Sequence, residues 1–238
     1  MWNSIFKRDL YSFFCSNSIY FVMIAYILLS MIVTFLGGLY IITPNQNMIS
    51  FFAFQPQIFA IIIPAITMRS WAEEQRSGTI ENLLTFPIAT LNMTLSKFGA
   101  AFIAGSLLLV FSLPLLVTTT IYLQPDWGSI ICSYLGLLGT ISILTAAGCI
   151  VSSIFSTPAI AYLLGFLSGT LWINFNWGSF FIAKLNNAPF YFERILNFSD
   201  IYQIFLNGQI NISAIFYFLS LLLLLLFANW LIIDYRRK

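Results

Sequence analysis

Residues 127–183 read WGSIICSYLGLLGTISILTAAGCIVSSIFSTPAIAYLLGFLSGTLWINFNWGSFFIA, without one charged side chain. The only punctuation is Ser156-Thr157-Pro158, where a proline suits the first turn of a new helix. At roughly 20 apolar residues per helical crossing, the stretch divides into two spans, about 129–154 and 158–182. A second charge-free run extends from Leu10 to Met68. The whole 238-residue chain is 60% apolar, 18% aromatic and 8% charged. Soluble domains carry about 25% charge, so this chain cannot clothe a water-facing surface and reads as an integral membrane protein.

Applied along the sequence, the same rule predicts six spans: about 18–42, 50–68, 97–123, 129–154, 158–182 and 213–233. An even number puts both termini on one side. Placing them in the cytoplasm leaves Lys7, Arg8, Arg69, Arg76, Lys97, Arg236, Arg237 and Lys238 inside and only Lys184 and Arg194 outside, as the positive-inside bias requires. Lys7, Arg8, Lys97, Arg236 and Arg237 are read as topology and interface anchors. Trp71, Trp230 and Tyr235 fall near inner span ends, and Tyr40, Trp127, Trp172 and Trp177 near outer ones. Localisation is therefore expected to be the inner (plasma) membrane, multi-pass.

Before the first span, Trp2, Ile5, Phe6, Leu10, Phe13 and Phe14 recur at helical spacing against Lys7, Arg8 and Ser12. This predicts an amphipathic helix over 1–17 lying in the membrane interface. The segment 183–212 mixes Phe190, Tyr191, Phe192 and Phe198 with Lys184, Glu193, Arg194 and Asp200. It is too charged to cross and too apolar for a disordered loop, so short outer helices are expected. Pro114, inside the third span, is expected to kink it. The fold class is thus an all-α integral membrane protein: one transmembrane domain over 1–238 with a cytoplasmic segment at 69–96.

Much chemistry is excluded by residue type. Histidine is absent, which removes imidazole from catalytic and metal-ligand schemes. Cys15, Cys132 and Cys149 are isolated and lack C-x-x-C spacing. A net charge of +2 gives no basis for a nucleic-acid partner. No charged residue lies mid-span, where a proton-coupled carrier would keep one. No G-x4-G-K-[ST] phosphate loop occurs.

One polar island remains, between the second and third spans. Arg69, Glu73, Glu74 and Arg76 precede a Ser77-Gly78 break. Thr79 then caps a short helix with Glu81 in its first turn, and Pro87 limits the far end. Ile80, Leu83 and Leu84 stand at i, i+3 and i+4 and make one apolar face. A helix this short is marginal alone in water and calls for something to dock into. Charged runs of this kind are also commonly the solvated face of a loop.

The pattern P-x4-R-x3-E-E-x3-G-T-x-E-x-L-L-x2-P, with Lys97 ten residues on, resembles the membrane subunits of ABC-2 type transporters, and most the gliding-motility-type permeases. The resemblance rests on Pro64, Arg69, Glu73, Glu74, Gly78, Thr79, Glu81, Leu83, Leu84, Pro87 and Lys97. It extends to the amphipathic start and to Phe205, Gly208 and Ile210 near the last span. It implies a permease without catalysis of its own, whose coupling helix (Arg69, Glu73, Glu74, Gly78, Thr79, Ile80, Glu81, Leu83, Leu84, Pro87) docks a cytosolic ABC ATPase. ATP and magnesium would be bound by that partner, and no cofactor or metal by this chain. A second permease subunit, most simply in a homodimer, and a periplasmic accessory protein belong to the same expectation. Two other readings stay open: an ATPase-docked scaffold or motor component with no transported substrate, and an intramembrane enzyme.

Overall fold

The computed structural model describes residues 2–36, 49–85, 89–114, 116–117, 126–175 and 197–237. Those residues form helices α1 (Trp2–Cys15), α2 (Asn17–Leu36), α3 (Ile49–Thr67), α4 (Ala72–Arg76), α5 (Thr79–Thr85), α6 (Thr90–Phe111), α7 (Trp127–Ile154), α8 (Pro158–Asn174), α9 (Phe198–Leu206) and α10 (Ile212–Arg237). No strand occurs among them.

Among the described residues, four helical stretches are long and apolar enough to cross a membrane: Phe51–Arg76, α6, α7 and α10. A fifth is obtained if α1 and α2, which meet at 68° around Ser16, are taken as one bent span. Of the six expected spans, 158–182 is represented by α8, which at 17 residues is shorter than the other four. The remainder of that span, and the end of 18–42, lie outside the described residues. So do Lys184, Glu193, Arg194, Tyr40 and Trp177. The third expected span starts inside α6, which begins at Thr90, seven residues before Lys97. Its regular part ends at Phe111, and a turn at Ser112 leads into helical Leu113 and Pro114, because Pro114 has no N–H to donate to the Val110 carbonyl one turn back.

α7 is the central helix. Asp126 caps it by accepting a hydrogen bond from the Gly128 N–H at 3.0 Å. Three of its glycines each seat a different neighbour: Gly136 faces Phe205 of α9, Gly139 faces Phe218 of α10, and Gly148 faces Thr67 of α3. Lipid tails are as apolar as leucine, so helices in a membrane associate through such close packing and not through transfer out of water. The core between α2, α3, α6 and α7 holds Tyr26, Phe59, Ile63, Ala104, Leu108 and Ile141, all 0% exposed. Tyr26 stacks on Phe59 at 5.3 Å and donates to Gln55 Oε1 at 3.1 Å. α10, by contrast, presents Leu219, Leu223, Leu224, Phe227 and Leu231 outward, the face expected toward lipid.

The described part of the 183–212 segment contains a short helix, α9, which is tucked into the bundle. Phe198, Ile201, Tyr202, Phe205 and Leu206 are buried, and the Tyr202 hydroxyl donates to the Phe52 carbonyl at 2.8 Å. Gly208 ends it with φ +74, where its own N–H reaches the Phe205 carbonyl and that of Gln209 the Ile204 carbonyl. This is a Schellman closure, which needs a left-handed residue at that point.

Candidate functional site at the charged end of the bundle

The C-termini of α3, α7 and α10 and the N-termini of α6 and α8 gather at one end of the bundle. Thr90 donates to Asp234 at 3.0 Å and accepts from the Trp230 indole at 2.9 Å, which ties α6 to α10. Arg236 donates to the Ile154 carbonyl at 3.2 Å, at the end of α7.

The corner from α3 into α4 is built on Ser152 of α7. Its hydroxyl oxygen accepts the Trp71 and Ala72 N–H groups at 3.0 and 3.1 Å and donates to the Met68 carbonyl at 3.3 Å. Gln75 donates to the Ser152 and Ser153 carbonyls at 3.4 and 2.6 Å. Orphan groups at the end of one helix and the start of the next thereby satisfy each other. Trp71, expected at the interface, is instead fully buried with Met93 and Ile233, because the corner folds it inward.

Above Trp71 lies a four-charge cluster. Lys97 Nζ sits 4.7 Å from the centre of the indole, donates to the Ser70 carbonyl, and stands 3.0 Å from Glu74 Oε1 and 3.8 Å from Asp9 Oδ2. Arg8 Nη2 is 2.8 Å from both Asp9 Oδ1 and Glu74 Oε1. Burial alone would lower the Arg8 pKa, yet it is raised from its ordinary value because Asp9 and Glu74 hold the guanidinium charge. The cluster joins α1, α4 and α6.

Three residues sit differently from their reading in the sequence. Lys97, read as an interface anchor, is 3% exposed and internal. Glu74, read as a docking carboxylate, turns inward to Lys97 and Arg8. Ile80 packs against the Trp71 cluster instead of completing an outward apolar face.

Glu73, Arg76, Ser77, Gly78, Thr79 and Glu81 are exposed around the break between α4 and α5. Gly78 has φ +72 with open space around it, so the left-handed turn and not crowding demands glycine there. Arg69 is exposed and donates to Ser18 Oγ at 3.0 Å, pinning the start of α2. Lys7 and Arg237 are exposed at the same end. The side chains of Leu83 and Leu84, and Pro87 altogether, lie outside the described residues. Among the described residues no group of His, Cys, Asp or Glu side chains is arranged to hold a metal ion. Asp9, Gln75 and Ser152 carry this end of the molecule although nothing in their local sequence marks them.

The apolar helices and their ordered charged end define the class: a helical, multi-pass membrane protein. In comparisons with known proteins, no family model and no curated protein matches the chain.

Proposed function

We propose that this chain is the membrane-spanning permease subunit of an ABC-2 type exporter, docking a separate cytosolic ATPase through the α4–α5 corner. One observation carries the reading. The exposed turn at Glu73–Glu81 is not a slack loop: its base is bolted to α7 through Ser152 and Gln75 and to α6 through Lys97. A solvated linker gains nothing from such a foundation. A lever pushed by a partner needs it, because force applied at Glu81 must reach α3, α6 and α7 without being absorbed. Nucleotide chemistry then belongs to the partner, since this chain has no phosphate loop. Two such chains around a central path complete the proposal.

The test is co-purification of the chain with its ABC ATPase, identified by mass spectrometry and by nucleotide hydrolysis. Glu81→Lys and Leu83→Asp are expected to lose the ATPase while Gln209→Ala, exposed at the opposite end, retains it. A rim charge change weakens in a salt-dependent way, and burying an aspartate in a groove does not. Undiminished ATPase recovery in both variants overturns the docking assignment.

A further inference from the structure

Two hollows of opposite character meet at Arg69. One is a cavity of about 310 Å³ between α1, the α3–α4 corner and α6, whose charged lining is Arg8, Asp9, Arg69, Glu73, Glu74 and Lys97. The other is a cleft of about 1370 Å³ between α2, α3 and α8, walled by apolar side chains such as Phe21, Leu29, Ile62 and Leu163. Arg69, Glu73 and Ser77 line both. A charged chamber and an apolar groove that share a rim in a membrane protein match the two halves of an amphiphile.

We propose that this junction binds a phospholipid with a phosphoethanolamine headgroup, the head in the charged cavity and an acyl chain along the cleft. Three cations and three carboxylates line the cavity, so its formal charge is balanced. A balanced cavity discriminates against a ligand of net charge and favours one carrying both signs. Arg69 spends one donor on Ser18 and lies within ion-pair distance of no carboxylate among the described residues, which leaves its guanidinium fork to a phosphate. Glu73 is exposed, lines both hollows beside Arg69, and lies within ion-pair distance of no cation among the described residues. An ionised carboxylate only accepts, and an ammonium is its natural donor. A primary ammonium brings three N–H groups, whereas trimethylated choline brings none. The amphipathic helix α1 forms one wall and sets the chamber at headgroup depth.

The experiment uses the full chain in detergent and native mass spectrometry with phosphatidylethanolamine, phosphatidylcholine and phosphatidylglycerol of matched acyl chains, beside soluble glycerophosphoethanolamine. No ATPase is present, so the result is independent of the docking proposal. Phosphatidylethanolamine is expected to be retained about tenfold better than phosphatidylcholine, the loss of one or two charge-assisted hydrogen bonds. Arg69→Ala is expected to weaken both phosphatidylethanolamine and phosphatidylglycerol. Glu73→Gln should reduce phosphatidylethanolamine toward the phosphatidylcholine level. Arg69 and Glu73 are both exposed, so neither change disturbs the buried Lys97 cluster. Equal retention of the choline and ethanolamine lipids, or unchanged binding by Arg69→Ala, overturns the headgroup assignment. Binding of glycerophosphoethanolamine as tight as that of the lipid overturns the acyl-chain half.

Discussion

Lys97 keeps its side chain 4% exposed beside Glu74, a position that an unpaired lysine could not hold against the desolvation of its charge. Its loss leaves Glu74 and Asp9 facing only Arg8, whose side chain is 53% exposed. Breaking one partner of a buried pair typically costs about 3–5 kcal/mol, while an exposed pair contributes under about 1 kcal/mol. Lys97→Met is therefore expected to lower the melting temperature far more than Arg8→Ala, and Lys97→Met/Glu74→Gln to recover much of the loss. Thermal unfolding in detergent checks this; equal effects of the two single changes would mean that the cluster is no more than surface charge. None of this was legible from local sequence. The lysine and its carboxylate partners are separated by long stretches of chain, and a lysine near a span end reads as an anchor until the fold shows what surrounds it. Ser152 was hidden for a similar reason, since hydroxyls in spans ordinarily bond back to their own helix.

Elements were more legible than contacts. α7 follows from a capping Asp126, a long charge-free run and a breaking Ser156-Thr157-Pro158, all of them local signals. α6 begins ahead of the apolar run that marks the span: Asn92, Thr94 and Ser96 dilute the pattern, yet helical bonding begins as early as the Ala89 carbonyl. Three polar side chains in the first two turns do not stop a helix whose remaining face packs on Trp71. The crossing of α3 and α7 is the contact most exposed to test. A methyl at Gly148 would stand 2.1 Å from Thr67 Oγ1 and 2.9 Å from its Cβ. Glycine to alanine inside a helix gains about 1 kcal/mol of propensity, but overpacking costs about 1–3 kcal/mol, and this clash is with a β-branched side chain whose χ1 is stiff. Gly148→Ala is expected to destabilise, with Gly128→Ala, whose new methyl meets only Asp126, near neutral. Adding Thr67→Ala should restore part of the stability in Gly148→Ala, since it removes Oγ1 and Cγ2 but keeps the Cβ. Additive effects of the two changes would rule out the contact as the cause.

At the scale of the molecule, α7 sets the distance between two chemically different ends. Gly208 lies against Ser129 near one end of α7, and Trp71 hangs from Ser152 near the other, a rise of about 35 Å along the helix at about 1.5 Å per residue. That length matches the hydrocarbon core plus part of the headgroup layers. Ser77 and Gln209 are both exposed, one at each end, so they should lie on opposite sides of the membrane. The positive-inside bias orients the pair, since Lys7, Arg8, Arg69, Arg76, Arg236 and Arg237 all cluster at the Ser77 end. In a Cys15→Ser background, which removes the exposed native thiol, an impermeant maleimide is expected to label Gln209→Cys in intact cells and Ser77→Cys only after permeabilisation. Labelling of both positions in intact cells would overturn the transmembrane arrangement of α7, and the reverse pattern would invert the protein. Either result would remove the α4–α5 corner from the cytosol, where alone an ATPase could reach it.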